Sequence, residues 1–190
     1  CMATSDFVPV RPKDRFLVFG SPLIREEEVQ EVAASLRSGW LGTGPKVARF
    51  EESFREYLSA PHALAVNSCT AALHLAMVAA DIRPGDEVIT TPLTFCATAN
   101  AIIHAGGTPV LADVDPATQN IDPERIQAAI TPRTRAIIPV HFAGRPCRMD
   151  AIMDLARDHS LMVIEDCAHA IEASYKGRRA GTFGQYGCFS

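Results

Sequence analysis

Between positions 62 and 165 the chain switches repeatedly between two hydrophobic periods. Short, almost uninterrupted apolar runs at 62–66, 87–90, 108–112, 135–140 and 161–165 alternate with segments at 70–80, 94–104, 123–129 and 149–158 whose apolar residues recur at helical spacing. A strand that is apolar on both sides must be covered on both faces, and strands separated by helix-length crossovers run parallel. The pattern therefore predicts an α/β fold, a mostly parallel sheet with helices on both faces. Right-handed crossovers follow from strand twist. At 190 residues, 47% of them hydrophobic, the chain can bury such a core without staples.

Ahead of this region lie two further helices. Residues 24–36 carry Ile24, Val29, Val32, Ala33 and Leu36 on one stripe, with Glu26, Glu27 and Glu28 at the positive end of the helix dipole. Gly39 stops that helix, and a glycine-punctuated loop containing Trp40 and Thr43 follows. A helix at 47–58 places Phe50, Phe54 and Leu58 on one face. Residues 1–15 show turn chemistry and no periodicity and are expected to form an arm, with one domain over 16–190. Cys1 precedes Met2 and is expected to lie outside the native start.

Charge and cysteine usage exclude several functions. With 18 Lys+Arg against 22 Asp+Glu and no basic stripe, nucleic acid is not an expected partner. No apolar run is long enough to span a bilayer, and no signal-peptide pattern opens the chain, so membrane association is not expected either. Cysteines 1, 69, 96, 147, 167 and 188 include no C-x-x-C pair and no zinc pattern. They read as reduced thiols of a cytoplasmic protein, with no metal site.

Open parallel sheets bind ligands beyond the carboxyl ends of their strands, and the polar residues of this chain gather there. Asn67, Ser68, Cys69 and Thr70 follow the first run; Thr91, Thr94 and Phe95 the second; His141 the fourth; Glu165, Asp166 and His169 the last. The segment from Asn67 opens a helix, whose free first-turn amides and dipole make a phosphate site. Plain N-capping by Ser68 is the competing reading. Neither the Walker lysine nor the dinucleotide glycine fingerprint is present. Asp166 ends the apolar stretch Leu161-Met162-Val163-Ile164 and needs a partner, which a protonated pyridine nitrogen would be. A helix cap, or a metal ligand beside Glu165, remain alternatives. Phe95 and His169 have ordinary explanations as a core residue and a surface donor. An extended backbone turns Glu165 to the opposite sheet face from Asp166, so the two are not paired as an acid–base dyad.

Seven stretches carry a resemblance: Gly39-Trp40-Leu41-Gly42-Thr43-Gly44-Pro45, Asn67-Ser68-Cys69-Thr70-Ala71-Ala72-Leu73-His74-Leu75, Thr91-Pro92-Leu93-Thr94-Phe95, Asp113-Val114-Asp115, Pro139-Val140-His141, Ile164-Glu165-Asp166-Cys167-Ala168-His169-Ala170, and Gly181-Thr182-Phe183-Gly184 leading into Gly187-Cys188-Phe189-Ser190. In this order and spacing they resemble the DegT/StrS-type sugar aminotransferases, fold-type-I pyridoxal-phosphate enzymes. The resemblance runs from Val18 to Ser190 and implies the large, cofactor-binding domain of such an enzyme.

It also implies roles. Ser68, Cys69, Thr70 and Ser190 would hold the cofactor phosphate, and Phe95 would stack on the pyridine ring. Asp166 would sit at the ring nitrogen and His169 near the phenolic oxygen, while Trp40 and Thr43 would lie toward the substrate. The implied reaction moves an amino group from an amino acid, glutamate, to a nucleotide-linked keto sugar, in a homodimer serving sugar, polysaccharide or antibiotic biosynthesis. Two positions depart from the pattern. Arg148 stands where an acidic residue is common, and the Schiff-base lysine is expected a few residues beyond Ser190, so the 190 residues alone are expected to be inactive. Lys176, in the Tyr175-Lys176-Gly177-Arg178 turn, is not a substitute. Three other readings stand beside this one: a dehydratase of the same family, a non-catalytic regulator on the same scaffold, and a dinucleotide enzyme. The retention of Phe95, Asp166 and His169 argues against the regulator, and the absent glycine fingerprint against the dinucleotide enzyme.

Overall fold

The structure is a computed structural model that describes residues 22–190; the arm expected over 1–15 lies outside the described residues. Two compact units divide at Lys46/Val47. In the first, α1 (Glu26–Ser38) opens with three glutamates, and Glu28 accepts from the Arg25 amide at 2.6 Å. It ends where Gly39 takes a left-handed φ of 71° and donates its N–H to Leu36 O. Helix α2 (Pro45–Leu58) starts on a proline, which costs nothing where the N–H has no intrahelical partner.

The second unit is built on a five-stranded, all-parallel sheet in the order β2-β1-β3-β4-β7. Its strands are β1 (Glu87–Thr90), β2 (Thr108–Leu111), β3 (Thr134–Ile137), β4 (Met162–Cys167) and β7 (Tyr186–Phe189). Successive strand residues face opposite ways, which sorts the core into two layers. Val88, Ala136, Ile138, Ile164 and Cys188 pack with Leu73 and Met77 of α3 (Cys69–Ala79) and Ala101 and Ile102 of α4 (Ala97–His104). Their strand neighbours Ile89, Ile137 and Val163 pack with Ile126 of α5 (Pro123–Ala129) and Met149, Ile152 and Ala156 of α6 (Met149–Asp158). Helices thus cover both faces, as the alternation requires.

The run at 62–66 does not form the expected strand. Its Leu64 is 77% exposed, and the Ala65 amide is taken by the Glu51 carboxylate of α2 at 2.8 Å rather than by a neighbouring strand. Strand β3 ends at Ile137, earlier than expected, because Pro139 has no N–H to give a ladder. The chain rejoins the sheet through a single bridge, Val140 to Asp166.

A hairpin of β5 (Ser174–Tyr175) and β6 (Arg178–Arg179) turns at Lys176 and Gly177, both with positive φ, as two-residue hairpin turns prefer. Strand β7 follows and lies close against its surroundings. A Cβ on Gly187 would stand 2.2 Å from Gly181 O, so only glycine fits there. Phe189 closes the strand against Phe54 of α2, edge to face at 5.1 Å.

Candidate active site

Strand β4 delivers two carboxylates back to back at the carboxyl edge of the sheet. Asp166, 5% exposed, points toward α3 and α4. Its Oδ2 accepts from Thr98 Oγ1 at 2.8 Å and its Oδ1 from the Ala168 amide at 3.2 Å, with Cys69 Sγ 3.9 Å from Oδ1. The contact with Cys69 puts this carboxylate at the N-terminus of α3. Burial first, and the Asp166 charge second, push the Cys69 thiol up to about 12, so it stays a protonated donor.

At that N-terminus Ser68 is extended (φ −167°, ψ 157°) and its hydroxyl accepts from the Ala71 amide at 3.1 Å. Capping therefore occupies Ala71, while the amides of Cys69 and Thr70, at the first two helical positions, have no intrahelical acceptor and remain for an anion. The two sequence readings of this segment are compatible.

One cleft is lined by Thr94, Phe95, Val140, His141, Phe142, Asp166, Ala168 and His169. Phe95 is not a core residue: it is 75% exposed and lines the cleft. Ser190 follows β7, whose Phe189 pairs with Cys167, so it stands at the same sheet edge as Asp166. Trp40 and Thr43 belong to the first unit and are joined by the indole N–H donating to Thr43 O at 3.1 Å.

Glu165 is the residue whose partners the sequence left unnamed. Wholly buried, it faces the other layer, where Oε1 accepts from the Phe183 and Gly184 amides at 2.7 and 2.8 Å. Its Oε2 accepts from the Gly181 amide at 2.8 Å and meets His141 Nε2 at 3.0 Å. The Cys147 amide donates to His141 Nδ1 at 3.1 Å, so the ring proton sits on Nε2 and is donated to Glu165. His141, Glu165 and Cys167 place ligand-type atoms within 4.8 Å of one another. Both imidazole nitrogens and both carboxylate oxygens are already engaged, and burial holds the Cys167 thiol well above its ordinary value. These three residues are a closed internal network. A glutamate inside an apolar strand signals that such partners must exist, but the amides of 181–184 carry no side-chain signature.

The arrangement offers helix-end amides for a phosphate, an open aromatic face, and a buried carboxylate at the same edge. The model of the DegT/DnrJ/EryC1/StrS aminotransferase family matches residues 22–190. The chain belongs to this family. It is 56% identical over 181 residues to the spore coat polysaccharide biosynthesis protein SpsC of Bacillus subtilis, covering 95% of this chain and 46% of that protein. It is 45% identical over 171 residues to the GDP-perosamine synthase of Caulobacter vibrioides, covering 90% of this chain and 46% of the synthase. Among solved structures, Spr1654 of Streptococcus pneumoniae in its PMP form superposes with a TM-score of 0.88 at 34% identity, over 92% of this chain and 48% of that one. The chain thus spans about half the length of the relatives it matches. The cofactor indicated by the family and this neighbour is pyridoxal phosphate, and the residues present fit it. Among the described residues, no helix is long and apolar enough to cross a membrane.

Proposed function

We propose that the protein is a pyridoxal-phosphate aminotransferase that moves an amino group from an amino acid, glutamate, to a keto sugar carried on a nucleotide. The observation that carries this reading is the approach of Asp166 to Cys69: a buried carboxylate beside a helix N-terminus, sharing a cleft with the exposed ring of Phe95. The sugar substrate is supported by relatives named for polysaccharide biosynthesis and for a GDP-linked amino sugar.

In this reading the amides of Cys69 and Thr70, with the hydroxyls of Ser68, Thr70 and Ser190, hold the cofactor phosphate. Phe95 covers one ring face and keeps water from it. Asp166 binds the ring nitrogen and holds a proton there, while His169 stands beside the ring. Bound in this way, pyridoxal phosphate supplies a cationic conjugated ring that takes up the charge developing at the donor's α-carbon. Trp40 and Thr43 are assigned to the substrate side by resemblance alone.

Lys176 is not the covalent anchor in this scheme, because its ammonium is bonded to Asp150 at 2.6 Å. The reading includes a homodimer in the cytoplasm, a compartment that suits the free thiols among the described residues.

The test uses full-length protein with pyridoxal phosphate. A cofactor absorbance band near the visible edge should appear, change on adding glutamate, and return on adding a nucleotide-linked keto sugar. Asp166→Ala should weaken cofactor retention and abolish turnover. Full activity and an unchanged spectrum in Asp166→Ala would remove the proposal's central contact.

A further inference from the structure

Asp166 has a partner to which the reading above gives no role. Thr98, in the first turn of α4, is wholly buried, and its hydroxyl stands 2.8 Å from Asp166 Oδ2. Two other oxygens lie within reach of that hydroxyl: Thr94 Oγ1 at 2.7 Å and Phe95 O at 3.2 Å. A hydroxyl carries a single proton. The ionised carboxylate is both a nearer and a stronger acceptor than the Phe95 carbonyl, so the Thr98 proton goes to Asp166. The Thr98 oxygen is then left to accept, and Thr94, half-buried on the cleft wall, donates to it. Two hydroxyls in series thus point their protons at one carboxylate, each polarising the next.

We infer that Thr98, backed by Thr94, is the positioning residue of Asp166. This inference rests on the assignment of Asp166 to the cofactor's ring nitrogen and deepens it. A hydrogen bond donated to a charged group favours its charged form. The hydroxyl chain therefore keeps the negative charge on Asp166 and the shared proton on the ring nitrogen, and it fixes the plane in which the carboxylate is presented. The competing role for Thr98 is local: a helix threonine returning its proton to the backbone three residues earlier. That role has no means of moving a proton on the ring.

The experiment compares full-length holoprotein carrying Thr98→Val, which keeps the shape and removes the hydroxyl, with Thr98→Ser and Asp166→Asn. Three quantities are read: the dissociation constant of pyridoxamine phosphate by fluorescence, the 15N resonance of ring-labelled cofactor, and kcat against KM. Thr98→Val should weaken cofactor binding roughly tenfold or more, the scale of one hydrogen bond to a buried charge. It should also move the ring resonance toward the unprotonated position and lower kcat with KM nearly unchanged. Thr98→Ser should restore all three.

If Asp166→Asn shifts the resonance and Thr98→Val leaves it in place, Thr98 is a structural hydroxyl and the inference is overturned, while the role of Asp166 stands. If Asp166→Asn shifts nothing, the reading beneath it fails. Should Thr98→Val not fold, Thr94→Val reads the same chain from its outer end: a smaller resonance shift in the same direction supports the inference, and no shift overturns it.

Discussion

Replacing Glu165 by glutamine exchanges one carboxylate oxygen for an amide nitrogen without changing volume, so no cavity is made. In the native structure Oε1 serves the Phe183 and Gly184 amides, and Oε2 serves Gly181 and His141. Whichever way the glutamine amide is turned, its NH2 faces two donors and two buried N–H groups lose their acceptor. His141 cannot adapt by moving its proton, because Nδ1 must stay open to the Cys147 amide. At about 1–3 kcal/mol for each of the two orphaned donors, the expected loss is about 2–6 kcal/mol. That is a large share of the roughly 5–15 kcal/mol that holds a typical domain folded. A domain of this size should melt about 4–24 °C lower. Urea unfolding followed by circular dichroism gives the free energy, and native-state hydrogen exchange locates it. Protection should fall first at the amides of Gly181, Phe183 and Gly184. A loss below about 1 kcal/mol, with those amides still protected, would refute the reasoning.

Two further outcomes follow from the surroundings of other side chains. Burial pushes the Cys69 and Cys147 thiols up to about 12 and raises Cys167 and Cys188 as well, whereas Cys96 is exposed. Since the thiolate is the reactive form, alkylation at pH 8 and peptide mass mapping should find Cys96 modified and those four untouched; early labelling of Cys69 would contradict the burial argument. Asp150, bonded by Lys176 and Tyr175, is held well below the usual carboxylate range. A depressed value contributes stability above the unfolded value, about pH 4, and loses it as pH falls through the folded one. Lys176→Gln should therefore be slightly less stable than wild type at pH 7, with the gap closing on acidification and the cofactor spectrum unaltered. A gap that stays constant in size as the pH falls from 7 to well under about pH 4, the unfolded value, would count against this account.

Much of this was legible in the sequence, and the exceptions have identifiable causes. Continuous apolar runs located strands β1 to β4, because burial on both sheet faces leaves no polar alternation, and helical patterning located α3 to α6. It failed at 62–66, where the composition is equally apolar but Leu64 has no layer to enter. Strand β7 escaped notice for the opposite reason. Tyr186-Gly187-Cys188-Phe189 is short and broken by a glycine, and it is a strand because Gly187 admits the backbone of Gly181. At the site, Asp166 announced itself as a charge ending an apolar run. Thr98 did not, since a threonine within an apolar helix looks like any small buried residue until the fold brings Asp166 to it.

The back-to-back carboxylates of β4 also limit how the chain can change over evolutionary time. Inserting or deleting one residue just ahead of Ile164 would exchange the two faces, presenting the longer acid to the cleft and the shorter one to the 181–184 turn. Neither is the right length for the other's neighbours. Length variation near this strand must therefore be absorbed in the bend before Met162, and Glu165 and Asp166 are expected to be inherited as an inseparable pair.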